Sequence, residues 1–431
     1  MGGAGRLVSG SSDQPALAVA EVSGLQEPPL GLYVHLPWCV RKCPYCDFNS
    51  HVARDGVPER VYLEAVRRDL ELEARRARGR PIHAVFIGGG TPSLFSADAI
   101  GRLLESMAGW FELGPETEVT LEANPGTVDA GRFAEFRACG VTRLSIGVQS
   151  FDDDALRSLG RIHDARAAHD ALERARSAGF ERVNVDLMYG LPTQTADAAQ
   201  RDVRAALAHG PTHLSHYQLT LEPGTVFERR PPELPDDDCI VDMLQRCQDD
   251  LQMAGFEHYE VSAYALPGAR CAHNLNYWRY GDYLGVGAGA HGKLSDARHD
   301  RIERTVKLRG PQAYMQALTR SVRNARDPSD AALESFSTVP PEERIFEFML
   351  NALRLVDGFE PALLSARTGF SIATIEKLLR RLAARQLLDV GPQRIRPTAL
   401  GLRFLNDILI EFMSENTPGR GYTEADAGRN G

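Results

Sequence analysis

The chain has 431 residues, 43% of them hydrophobic and 25% charged, enough for two or three folded units without disulfide staples. Its seven cysteines are too few and odd in number for a secreted disulfide framework, and a formal charge of −9 argues against a surface that coats nucleic acid. No run of about 20 uncharged apolar residues occurs, so no helix is expected to span a membrane.

Residues 1–28 are rich in Gly, Ser and Ala, and their short apolar run Ala16–Ala20 is closed by Glu21. This head reads as loose chain on a cytoplasmic protein, not as a signal peptide. From 29 to 235, β-branched runs alternate with amphipathic stretches. Strands are expected at Gly31–Leu36, Ile82–Ile87, Glu118–Glu122, Arg143–Gly147, Arg182–Leu187 and His213–Leu219, and helices near 58–77, 96–109, 128–138, 152–177 and 196–208. The alternation indicates parallel β/α units, in an open doubly wound sheet or a barrel. Six successive units with little room for a reversed strand order favour a barrel-like sheet, whose active site lies at the carboxyl ends of the strands.

Residues 236–320 loosen into a helix, an aromatic-rich segment and the glycine run Gly285–Gly292, and 321–340 read as a linker. Across 341–413 the pattern becomes helix (Glu342–Leu355), helix (Pro361–Arg367), helix (Ser371–Gln386), strand–turn–strand (Leu388–Arg396) and a closing helix, which is the winged-helix order. Lys377, Arg380, Arg381 and Arg385 on the third helix raise DNA binding as a rival function. The opposite face, with Ile372, Ile375, Leu378, Leu379 and Leu382, makes those cations an ordinary solvated surface. The polar tail, 414–431, reads as disordered.

Cys39, Cys43 and Cys46 form C-x3-C-x2-C directly after the first strand. Thiolates are soft ligands suited to iron–sulfur clusters or zinc. Three sulfurs on a short loop can hold one face of a cubane and leave the fourth iron open. A structural zinc needs a fourth protein ligand, and the nearby His35 and His51 stand at no usual zinc-finger spacing. Cys139, Cys239, Cys247 and Cys271 are scattered and read as ordinary side chains. The second strand is followed by Gly88-Gly89-Gly90-Thr91-Pro92-Ser93, whose glycines let a ligand approach the backbone. Later strands end near Glu122, Gln149 and Asp186. Any one of these is more often a turn or capping residue, but together they recur in phase with the β/α units.

The cysteine spacing at the end of a first strand, with Tyr45 before the last cysteine, resembles the radical S-adenosylmethionine (SAM) superfamily. There the three cysteines hold a [4Fe-4S] cluster, and the amino and carboxylate groups of SAM take the open iron. Within it, PWCVRKCPYCDF (37–48), GGGTPS, LEANPG, SIGVQSF, GRIH and DLMYGLP resemble, over about 30–410, one branch. That branch holds the oxygen-independent coproporphyrinogen III oxidases and the HemW-type haem chaperones. The resemblance implies an α/β fold: a partial (β/α)6 TIM-like barrel with a winged-helix-like α+β domain that covers the core or meets partners. It implies that Cys39, Cys43 and Cys46 ligate the cluster, with Tyr45 beside them. Tyr33, Gly89, Gly90, Thr91, Glu122, Gln149, Arg161 and Asp186 would contact SAM.

Two features separate the paralogues. The oxidases carry a further cysteine two places after the third, where this chain has Phe48, and their ordered N-terminal extension has no counterpart in the Gly/Ser-rich head. The chaperones carry H-N-x-x-Y-W, present here as His273-Asn274-Leu275-Asn276-Tyr277-Trp278. A histidine among aromatics is, by itself, more often a core residue. In this branch it makes His273, Asn274, Tyr277 and Trp278 candidates for holding haem, since an imidazole can ligate the iron and aromatic rings can flank a porphyrin. The expectation is a chaperone that binds haem and passes it to membrane-associated respiratory haem proteins, without nucleic acid, as a monomer or homodimer. The runner-up is oxidative decarboxylation of porphyrinogen propionates.

Overall fold

The computed structural model describes residues 24–127, 131–320 and 332–413. The expected head up to residue 23, the first part of the expected linker and the tail from 414 lie outside the described residues.

One 12-stranded sheet organises the chain. Its strands are β1 (Leu30–Leu36), β2 (Ile82–Gly89), β3 (Leu113–Ala123), β4 (Arg143–Gln149), β5 (Arg182–Tyr189), β6 (His213–Gln218), β7 (Glu257–Glu260), β8 (Ala263–Ala265), β9 (Asp282–Val286), β10 (His291–Asp296), β11 (Arg301–Lys307) and β12 (Leu333–Thr338). The spatial order is β12-β11-β10-β9-β1-β2-β3-β4-β5-β6-β8-β7. The run from β9 through β1 to β6 is parallel, and the remaining pairs on both flanks are antiparallel. Sequential order without reversal is the mark of a barrel segment, and the end strands β12 and β7 do not pair with each other, so the barrel is partial.

Helices between the strands cover the outer face. Leu32, Val34, Val85, Ile87, Leu121, Leu144, Ile146 and Val185 from the strands are buried with Tyr62, Val66 and Leu70 of α1 (Glu59–Ala77) and with Ile100 and Leu103 of α2 (Ala97–Trp110). The inner face is instead polar and lines a cavity. The stretch 152–177 is not one helix. It breaks into Asp153–Ser158 and Ala165–Ser177 because Gly160 takes φ +68°, and a Cβ there would come within 2.7 Å of Pro44 Cδ. The break sets Arg161 beside the cysteine loop.

Two other sequence expectations change. Residues 333–338, within the expected linker, form β12, paired to β11 from Glu303↔Thr338 to Lys307↔Leu333. Most of this edge strand's side chains are exposed, so it carries no alternating apolar signal. The glycine-rich segment around 282–296 is not appended to the barrel: β9 pairs with β1 in parallel, Leu30↔Asp282 to Val34↔Val286, inside the sheet.

The C-terminal unit has its own core, built on Phe348, Met349, Leu364, Leu379, Leu382, Ile395 and Ile408. Leu25, Tyr280 and Ile302 join this core from the head and the barrel, and Arg354 lies over the Trp278 ring at 4.6 Å. These contacts gather at the amino-terminal ends of the parallel strands, so the unit closes the barrel opposite the cysteine loop. Among the described residues, no helix is long and apolar enough to cross a membrane.

Candidate functional site

The inner face of the sheet encloses a cavity of about 890 Å³, lined from the cysteine loop at the carboxyl ends of the strands down to the segment 271–278. Every residue singled out in the sequence for cluster, SAM or haem contact lines it. The structure therefore brings both motif sets to one chamber. Its size lies within the range of small-molecule sites.

The cysteine loop is pinned on several sides. Trp38–Cys39 pair with His51–Val52, the Asn49 amide donates to the carbonyls of Ala288 and Arg309 at 2.9 Å each, and the Pro44 carbonyl accepts N–H bonds from Val226 and Phe227 at 3.0 Å. Cys39 Sγ accepts from Thr91 Oγ1 at 3.4 Å, and Cys43 Sγ lies 3.8 Å from Arg161 Nη1. Burial pushes the Cys46 thiol up to about 11 and raises that of Cys39 against the pull of the Thr91 hydroxyl. A coordinated metal reverses that preference, because a ligating thiol is deprotonated by the cation.

The zinc alternative fits poorly. Among the described residues no three His, Cys, Asp or Glu side chains are gathered around one ion position. His35 is held by Tyr33 OH and the Asn49 carbonyl at 2.9 Å each, and His51 lies 3.2 Å from Asn49 Oδ1. Sulfurs that share one zinc at about 2.3 Å must crowd together. Sulfurs that each take a different iron of a cubane stand farther apart, so the cysteines present fit a cluster better.

Beneath the loop, Arg161 spans the strand ends. Its Nη2 donates to the Gly147 carbonyl at 2.8 Å and Nη1 reaches Tyr45 OH at 3.5 Å, while its buried Nε has no partner. An unpartnered guanidinium N–H here suits a carboxylate. Gln149 turns the end of β4 at φ +71° and accepts from Tyr217 OH at 2.7 Å. Gly89 donates its N–H to Glu122 Oε2 at 3.0 Å. Part of the glycine run is a packing requirement, since a Cβ on Gly90 would sit 2.6 Å from the Trp38 carbonyl.

Glu122 and Asp186 are two of the carboxyls that line this chamber. Burial first, then Asp186, push Glu122 up to about 8, against the Gly89 N–H. Burial also raises Asp186, opposed by bonds from Ser215, Asn184 and Ser145. Asn184 Nδ2 lies 2.7 Å and Ser145 Oγ 3.1 Å from the Asp186 oxygens. Near neutral pH Glu122 is thus largely protonated, an electroneutral donor in a desolvated wall.

At the far end, the helix Ala272–Trp278 plugs the barrel. The His273 ring lies over Phe86, centroids 4.7 Å apart, and 6.2 Å from that of Tyr33. Its Nδ1 has no hydrogen-bond partner, and burial lowers the ring to about 4, so a neutral imidazole is presented at physiological pH. Tyr277 packs edge-on against Trp278 at 4.9 Å and near Tyr283 at 5.4 Å. Trp278 Nε1 is also buried without a partner. Asn274 lines the same wall.

Sequence reasoning missed Thr120, Arg143, Asn184, His213, Ser215 and Tyr217, all of which line the cavity. Thr120 and Arg143 stand two residues before Glu122 and Ser145 on their strands. Period-2 counting back from the strand ends would have placed both on the inner face.

Comparison with known proteins agrees with this geometry. Residues 33–206 match the family model of the radical SAM superfamily, and 339–404 match that of the HemN C-terminal domain. The haem chaperone HemW of Escherichia coli (strain K12) is 44% identical over 388 residues, covering 90% of this chain and 99% of that protein. HemW of Haemophilus influenzae is 42% identical over 392 residues, again 90% of this chain and 99% of the relative. Among solved structures, the radical SAM enzyme coproporphyrinogen III oxidase HemN of Escherichia coli superposes with a TM-score of 0.75 at 24% identity, covering 91% of this chain and 92% of that one, which shows a shared fold.

Proposed function

Because the chain belongs to the HemW family of haem chaperones within the radical SAM superfamily, we propose that it binds haem in the barrel chamber and hands it to respiratory haem proteins. Cys39, Cys43 and Cys46 would hold a [4Fe-4S] cluster at the mouth. Bound there, the cluster supplies a redox centre whose open iron can take the amino and carboxylate groups of SAM. Arg161, with its free Nε, supports the carboxylate, and the Glu122, Gln149 and Asp186 side chains line the wall below. Tyr33 and Thr91 support the same wall, one held by His35 and the other turned to Cys39.

The observation that carries the haem assignment is His273: a neutral imidazole with an unpartnered nitrogen, backed by Phe86 and Tyr33 and followed by Tyr277 and Trp278, facing the cavity. A buried donor or acceptor without a partner costs stability, so its retention points to a ligand. Phe48, where the oxidases have a further cysteine, stands 44% exposed at the rim, touching the cavity without adding a sulfur to it.

The test is anaerobic titration of the full chain with haem, followed on the same sample by a decarboxylation assay with reconstituted cluster, SAM and coproporphyrinogen III. One haem per chain and no turnover is the expected pair of results. Turnover would move the assignment to the oxidases. Absence of stoichiometric haem binding would remove the chaperone reading, whereas unchanged binding in His273→Ala would remove only the proposed ligand.

A further inference from the structure

The amino-terminal floor of the chamber holds two polar groups, Thr120 and Arg143, that neither the cluster, SAM nor an iron ligand uses. Strand register places them in one row with Tyr33 and Phe86. Tyr33 pairs with Phe86, Phe86 with Thr120, and Thr120 with Arg143 across β1, β2, β3 and β4. Cross-strand partners put their side chains on the same face, and all four line the cavity. His273 lies over the first two members of the row.

The last two members are incompletely satisfied. Arg143 is 1% exposed, and its Nη1 is engaged by the Ala269 carbonyl at 3.1 Å and more loosely by Glu118 Oε2 at 3.5 Å. Its Nη2 has no hydrogen-bond partner. Glu118 does not complete it, because Glu118 Oε1 already accepts the Ala272 N–H at 2.8 Å. The neighbouring Thr120, also 1% exposed, has a buried hydroxyl with no partner. A guanidinium edge and a hydroxyl side by side, both desolvated and both short of an acceptor, form a site for a carboxylate.

We propose that Arg143 and Thr120 form a carboxylate subsite that takes one propionate of the haem whose iron faces His273. The proposal rests on the haem reading above and adds the orientation of the macrocycle. Phe86, under His273, and Arg143 are two strand spacings apart, about 10 Å. That separation suits the reach from the metal of a porphyrin to a carboxylate on its edge. Phe86 and Tyr33 back the His273 ring, and the polar pair lies farther along the same row. One layer up, burial pushes the Glu122 carboxyl up to about 8, while Glu118 meets only Arg143 Nη1 and leaves Nη2 for the incoming anion. Arg143 also lies next to the start of the His273 helix, tied to it through Glu118 and Ala272.

Esterification separates this subsite from haem binding as such. Wild-type full chain, Arg143→Gln, Thr120→Val and His273→Ala are titrated with haem and with haem dimethyl ester, followed by visible absorbance, after thermal unfolding has shown which variants fold. Wild type is expected to prefer haem over the ester by about tenfold to a hundredfold, the worth of a charge-assisted pair. Arg143→Gln should lose that preference by weakening haem alone, and Thr120→Val should lose part of it. His273→Ala should weaken both ligands alike. Equal wild-type affinity for haem and its ester, or full preference in a folded Arg143→Gln, overturns the subsite and leaves the chaperone reading standing. If Arg143→Gln does not fold, the wild-type ester ratio and Thr120→Val decide. Failure of wild type to bind either ligand removes both proposals.

Discussion

Replacing Glu122 by glutamine should change how stability depends on pH. Its carboxyl is held at about 8 by burial, then by Asp186, against the bond from the Gly89 N–H, whereas an ordinary glutamate titrates near 4.5. The folded state therefore binds the proton more tightly than the unfolded state. Below about 4.5 both states are protonated and the group costs nothing. As pH rises from there toward 8 the unfolded chain ionises first, and the folded state loses stability progressively. At about 1.36 kcal/mol for each tenfold difference in proton affinity, full burial gives a loss of about 4 kcal/mol between pH 5 and pH 9. Part of the Glu122 surface faces the cavity, where water softens the penalty, so about 2 kcal/mol is the working expectation. Glutamine keeps an oxygen for the Gly89 N–H and has no proton to lose.

The assay is urea unfolding of the ligand-free full chain at pH 5, 7 and 9, read by hydrogen exchange on peptides from β3 and β4. Following the barrel strands avoids treating a two-core chain as one two-state unit. Wild type and Glu122→Gln should be close at pH 5, and the variant should be the more stable by about 2 kcal/mol at pH 9. Parallel pH dependences in the two proteins would refute the reasoning, because they would mean that the Glu122 carboxyl ionises as readily in the wall as in water.

Lys307→Met should destabilise the barrel by about 3–5 kcal/mol, since Lys307 Nζ is buried between Asp69 Oδ1 at 2.5 Å and Glu73 Oε1 at 2.7 Å and its loss takes the cation from buried Asp69, while Glu73 keeps Arg76 at 2.9 Å. The double variant with Asp69→Asn should recover part of this in urea unfolding; a single variant as stable as wild type would contradict the pairing. Gly160→Ala should lower iron incorporation on anaerobic reconstitution while leaving far-ultraviolet circular dichroism unchanged. It forces a side chain at φ +68° into Pro44 of the cysteine loop, at a cost of about 1–3 kcal/mol, so a full iron complement in that variant would argue against the contact.

Much of the chamber could be read in the sequence, and what escaped did so for identifiable physical reasons. The cysteine loop and the polar strand ends were visible because β/α alternation fixes which end of each strand carries chemistry, and Glu122, Gln149 and Asp186 fall there. β9 escaped because all five of its residues, Asp282–Val286, are buried, so they show no alternation, and neighbouring glycines made the segment read as loop. β12 escaped for the opposite reason, as a mostly exposed edge strand with no apolar face. The break at Gly160 is set by Pro44, a contact 116 residues away in sequence, and no local pattern reports it.

Arg143 is the most telling omission. At the first position of a strand, an arginine reads as the polar cap of an apolar run. Counting by twos back from Ser145 puts it on the inner face, and the register Phe86–Thr120–Arg143 shows that it enters the same enclosure as His273. A fully buried arginine with an unused N–H is costly to keep for packing alone, because an apolar side chain of similar volume would fill the place without the desolvation. Sequence motifs locate the cysteines proposed to hold the cluster and the histidine proposed to face haem. The proposed orientation of a large flat ligand between them rests on the unpaired Arg143 and Thr120 groups, which lie outside those motifs. In this chamber those donors lie on one row of the sheet, at the end closed by the C-terminal unit, where Arg354 stacks on Trp278. The short helix Ala272–Trp278 therefore joins the two, with His273 on the Phe86 of the floor and Trp278 under the Arg354 of the C-terminal unit.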